Sequence, residues 1–156
     1  MGAVWCVCMS RNADKEEEIL KYIVEIVSST LEDLLELDRQ LISASARARA
    51  SPESEESSAL LAGLLASGSQ ARMKLIELVN KAISIVSSDS LNSIPRDVLD
   101  DLLALSGYYA MGGYKTDLNA ISTASSVVDT ERSVRLVNLL KSDFQRLYNI
   151  LNKKLS

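Results

Sequence analysis

Residues 20–48 read LKYIVEIVSSTLEDLLELDRQLISASARA, and their spacing decides the fold. Steps of three and four from Leu20 reach Ile23, Val27, Thr30, Leu34, Leu37, Leu41, Ala44 and Ala48. All are apolar except the small, weakly polar Thr30. This is an unbroken heptad seam on one long helix. A second line, Ile19, Val24, Ile26, Leu31, Leu35 and Ile42, flanks it. The apolar face is wider than a two-stranded coiled coil needs, so it is expected to meet more than one helix.

Working outward, Asn12 or Asp14 suits an N-cap, and the acidic turn Glu16 to Glu18 suits a helix start. Arg47 and Arg49 give the helix end its favoured sign. Ser51-Pro52-Glu53 reads as a cap, a first-turn proline and an acid. The polar run Ser54 to Ser58 is expected to fray, or to form a loop with the helix starting near Ser57 or Ser58. The heptad resumes at Leu61, Leu64, Gly68, Ala71, Leu75, Leu78, Ala82 and Ile85. Its phase survives Ser67-Gly68-Ser69, so the spacing predicts one helix, continuous or kinked, more than two short ones. Two long helices around a short corner make an antiparallel αα-hairpin over 14–87.

A polar linker follows at 87–94. Ile94-Pro95-Arg96-Asp97 starts a third helix, and Gly112-Gly113 is expected to stop it. Thr116 or Asp117 is expected to cap a fourth helix running through Val128. Asp129-Thr130-Glu131 caps a fifth, with Val137, Leu140, Phe144, Leu147 and Leu151 as its buried stripe. The expected fold class is therefore all-α: a helical bundle of about five helices built on the long hairpin. It forms one domain over 14–156, with the helices of 95–156 packed on the hairpin and 1–13 as a flexible N-terminal tail.

Composition supports this. Of 156 residues, 47% are hydrophobic but only 4% aromatic, so the core must be aliphatic. Two prolines and six glycines leave long stretches unbroken. The chain has no histidine, which removes the commonest general base and metal ligand and any Glu-x-x-His di-iron site. Its two cysteines, Cys6 and Cys8, cannot complete a zinc site or staple the fold. They fall in the expected tail, which lacks the basic segment of a secretory signal; Met9 is an alternative start. No apolar run approaches a membrane span. A cytoplasmic location is expected.

The acids Glu16, Glu17, Glu18, Glu25, Glu32, Asp33, Glu36 and Asp38 are expected on the solvated face of the first helix. Catalytic carboxylates would interrupt the apolar stripe, and none is seen to do so. Residues 106–114, SGYYAMGGY, match no phosphate-loop spacing. This stretch faintly resembles the turn of one tetratricopeptide repeat, without a second copy. It concentrates tyrosines, which suit interfaces. Charge is unevenly placed: Asp14 to Leu60 carries net −7 and Thr130 onward net +4, within a total of −4.

No enzyme, cofactor or metal site is expected. The function that fits is a non-catalytic structural or adaptor subunit mediating protein–protein assembly or self-association, without membrane or small-molecule substrate. The candidate protein interface is Val24, Leu31, Leu35, Ile42, Tyr108, Tyr109 and Tyr114. The alternative is a small accessory subunit of a nucleoprotein complex, similar in size and helicity to the small subunits of CRISPR effectors. It would contact phosphate or an acidic partner through Arg132, Arg135, Arg146, Lys153 and Lys154 of the last helix, with Asp143 interrupting the strip.

Overall fold

The computed structural model describes the backbone of residues 2–156 and the side chains of 14–88 and 91–156. Its elements are α1 (Gly2–Ala50), α2 (Glu55–Val86), a 3-10 turn (Asp89–Ser93), α3 (Arg96–Tyr108), a π-helical turn (Tyr109–Gly113), α4 (Tyr114–Ala124) and α5 (Glu131–Leu155). There is no strand among the described residues, and the fold is an all-α bundle. The expected tail over 1–13, with Cys6 and Cys8, falls on residues whose side chains lie outside the described residues. On its backbone α1 begins at Gly2, upstream of the expected caps.

The hairpin forms as the heptads require. Its corner differs by a few residues: Ser54, not Ser51, caps α2, its hydroxyl accepting from the Ser57 N–H at 3.3 Å. α2 runs unbroken through Gly68. The buried face of α1 holds Leu20, Ile23, Val27, Thr30, Leu34, Leu41, Ala44 and Ala48, the seam read from the sequence; Leu37 is only half-buried.

Gly112-Gly113 does not stop the third helix. Among the described residues no glycine adopts a positive φ, so the left-handed end that glycine usually supplies is not used. Instead α3 passes into α4 through the π turn, where the Tyr114 N–H donates to the Tyr109 carbonyl five residues back. The extra residue in that turn lets Tyr109, Ala110 and Gly113 all face inward. A Cβ on Gly113 would lie 3.1–3.3 Å from the rings of Tyr108 and Tyr109, so any larger residue there must push these rings back by a few tenths of an ångström. Four continuous helices result, the third carrying the π turn.

α1 and α5 each pack against both α2 and the third helix. α2 and the third helix therefore occupy diagonal corners, and the link at 87–95 crosses one end of the bundle. Arg49, near the end of α1, donates to the Thr123 carbonyl at the end of α4 at 2.9 Å. Lys154, near the end of α5, donates to Val86 O at the end of α2 at 2.6 Å. So α1 runs with the third helix, and α2 with α5. Arg96 donates to Leu155 O at 3.1 Å. Three helix C-termini are thus met by cations from neighbouring helices, the sign that the dipole favours.

Candidate functional site

The bundle's central residues are not all apolar. Asp38 of α1, Arg72 of α2, Tyr109 of the π turn and Asp117 of α4 meet there, each no more than 3% exposed. The Arg72 fork grips Asp117 with both arms: Nε donates to Oδ2 at 2.9 Å and Nη2 to Oδ1 at 2.7 Å. Planar, two-armed geometry makes this the strong form of the pair. The Tyr109 hydroxyl donates to Asp117 Oδ2 at 2.9 Å. Asp38 Oδ1 lies 3.9 Å from Arg72 Nη2.

Two carboxyls and one guanidinium in a dry site leave one negative charge in excess if both acids ionise. Asp38 resolves this. Burial, then its hydrogen bond to Asp117 and the Asp117 charge, push its carboxyl up to about 9, against the pull of Arg72. At neutral pH Asp38 holds its proton, and the four groups sum to zero charge. Burial opposes the Arg72 charge, but Asp117 outweighs it and raises the guanidinium pKa. Burial and Asp117 likewise raise the Tyr109 phenol. Arg72 Nη1 is buried without a hydrogen-bond partner, the one such side-chain atom among the described residues.

Gly68 makes room for this arginine. A Cβ there would stand 3.0 Å from Arg72 Nη1 and 3.2 Å from Nη2. The guanidinium cannot retreat, because Asp117 holds it. Gly63, on the same helix, faces open space. Gly63→Ala is therefore expected to raise stability by about 1 kcal/mol, the ordinary helix gain. Gly68→Ala is expected to lower it by about as much despite the same gain, through overpacking. Urea unfolding of the two variants checks this, and equal gains would remove the steric argument.

The centre corrects the sequence reading of the acids. Asp38 turns inward instead of joining the solvated face, and Asp117 is no helix cap. The signal was present: each charged residue has apolar or small buried residues seven positions either side. Asp38 lies between Leu31 and Ser45, Arg72 between Leu65 and Val79, Asp117 between Ala110 and Ala124. Asp143 is also turned inward, accepting from Asn80 Nδ2 at 2.9 Å, so it does not interrupt the basic strip.

Chemically the centre is closed. A crevice beside Asp38, Tyr109 and Asp117 has about 10 Å³ of free volume, roughly the room of a single water. Among the described residues no three acidic or cysteine side chains are placed to hold a metal ion. The crevice does lead outward, past Leu31, Leu35 and Gly113 to Tyr108. On that surface Tyr108 is 44% and Met111 57% exposed.

The expected interface residues divide accordingly. Tyr108 and Ile42 are exposed; Val24 and Tyr114 are half-buried against the core, and Leu35 is half-buried. Leu31 and Tyr109 are buried, which corrects their assignment to a surface; the Tyr109 ring packs against Phe144 of α5, with centroids 5.3 Å apart. Tyr114 carries Lys141 over its ring at 4.1 Å. Of the basic strip, Arg135, Arg146 and Lys153 are exposed. Lys154 caps α2, and Arg132 donates to Met73 Sδ at 3.5 Å beside a surface notch of about 300 Å³. Among the described residues no helix is long and apolar enough to cross a membrane. Comparison with known proteins finds no matching family model, no matching curated protein and no matching solved structure.

Proposed function

We propose that this chain is a non-catalytic helical structural or adaptor subunit that acts through protein–protein contact, in the cytoplasm. One observation carries the reading. The π turn holds Tyr109, Ala110 and Gly113 inside, while Tyr108 before it and Met111 within it face out, beside half-buried Leu35 of α1. A tyrosine on a rigid helix face brings contact area at small entropy cost, and a methionine beside it is a soft, adaptable apolar contact. The buried centre fits a scaffold better than an enzyme, because its acids meet each other and Arg72 instead of solvent.

The test is recovery of the native complex from source cells with tagged wild type and with the Tyr108→Ser/Met111→Ser variant. Losing two anchors of an interface is expected to cut recovery at least about tenfold, with the melting curve unchanged. Equal recovery would sink the proposal. The nucleoprotein reading is weaker. Leu139 stands 50% exposed among the basic residues of α5, and an apolar side chain there suits a protein surface better than phosphate.

A further inference from the structure

The outward lines of α1 and α5 carry opposite charge, and these two helices stand at opposite corners of the bundle. On α1 the exposed outward residues include Glu18, Glu25, Glu32 and Glu36. Lys21 within that stretch and Arg39 just beyond it share this outward side and are paired with Glu17 and Glu36. On α5 the outward exposed line holds Arg135, Leu139, Arg146 and Lys153. Among the described residues Glu18, Glu25, Glu32, Arg135, Arg146 and Lys153 make no ion pair within 4.0 Å.

Their registers also agree. Glu18 to Glu36 and Arg135 to Lys153 each span eighteen residue steps, about 27 Å of helix. Laid antiparallel, Lys153 falls on Glu18, Arg146 on Glu25 and Arg135 on Glu36. A parallel alignment matches only the two ends.

We infer that a second copy of this chain docks the basic outer face of its α5 antiparallel on the acidic outer face of α1. Within one chain α5 already runs antiparallel to α1, so the docked copies point the same way. Each docked copy still presents its own α1, so the contact is heterologous and propagates instead of closing on a pair. Exposed ion pairs are individually weak and screened by salt. The association is therefore concentration-dependent and salt-sensitive. This inference deepens the assembly reading by naming one partner. It uses a different surface, so the Tyr108→Ser/Met111→Ser variant associates with itself as wild type does, and a failure of either reading leaves the other visible.

Sedimentation equilibrium of the full chain tests it. At about 20 mM salt the weight-average mass climbs with concentration above 17.0 kDa, and at about 500 mM it returns to that value. Arg135→Glu/Arg146→Glu and Glu25→Lys/Glu36→Lys are each monomeric at low salt, with wild-type helicity and melting. An equal mixture of these two restores association, because each now supplies the charge that the other's faces want. A wild type that stays at 17.0 kDa at low salt, folded variants that still associate alone, or a mixture that stays monomeric each overturns the inference.

Discussion

Arg72→Met lowers the stability of the bundle by about 3–5 kcal/mol, the usual cost of removing one partner from a buried ion pair. Methionine replaces much of the stem and packs well. What it cannot supply is the fork of two donors, at 2.9 and 2.7 Å, that Asp117 receives. Asp117 then keeps the Tyr109 hydroxyl and Asp38, with no counter-charge in a dry site. Against a typical total of about 5–15 kcal/mol this is a large loss. The second arm of the experiment removes the carboxylate as well. Arg72→Met with Asp117→Leu is expected to recover part of the loss, since a buried pair exchanged for apolar groups of similar volume is often neutral, while Tyr109 and Asp38 lose their acceptor. Urea unfolding of the three proteins reads both effects. A nearly neutral Arg72→Met would mean that Asp117 is not held dry by the bundle.

Asp38→Asn is expected to stabilise the protein at neutral and alkaline pH and to change the shape of its stability profile. The Asp38 pKa is raised in the folded chain from 3.8 to about 9. Between those values the folded state binds more protons than the unfolded state, so stability falls as pH rises, by at most about 1.4 kcal/mol per unit. The contribution is fully present below about 4 and gone above about 9. Asparagine is neutral throughout and its amide can donate to Asp117 as the protonated carboxyl does. The variant lacks that decline, and at pH 8 it is expected to exceed wild type by on the order of 2–4 kcal/mol. Other titrating groups are shared by both proteins and cancel in the difference. Unfolding curves from pH 4 to 9 make the check; parallel profiles would show that Asp38 does not carry its proton into the fold.

Both predictions concern residues whose position the sequence hides in one way and shows in another. A charged residue reads as solvated because burying it alone is costly, so Asp38, Arg72 and Asp117 pass for surface residues one at a time. Only their heptad neighbours betray them. Leu31 and Ser45, Leu65 and Val79, Ala110 and Ala124 place each charge on a buried line. That pattern gives burial, not partnership, and says nothing of which charge meets which. Tyr109 reads from the sequence as part of a tyrosine-rich interface turn, and the π turn places it in the interior.

The seam of α1, its echo in α2 and the stripe of α5 are local properties. Side chains three and four residues apart share a face whatever else the chain does, and burying those faces requires helices against helices. The all-α class, the hairpin and the aliphatic core follow from the sequence by that reasoning alone. What happens at Gly112-Gly113 does not. Two glycines can end a helix or pass through it, and the local energies differ little. Here the chain continues because Tyr109 finds Asp117 only if the helix goes on, and Asp117 finds Arg72 only across the diagonal of a closed bundle. Those contacts, eight and forty-five residues apart along the chain, exist only once four helices have assembled. Tertiary structure therefore decided the polar centre, the proton on Asp38 and the face that Tyr108 and Met111 turn outward, because each depends on a dry interior that no single helix possesses.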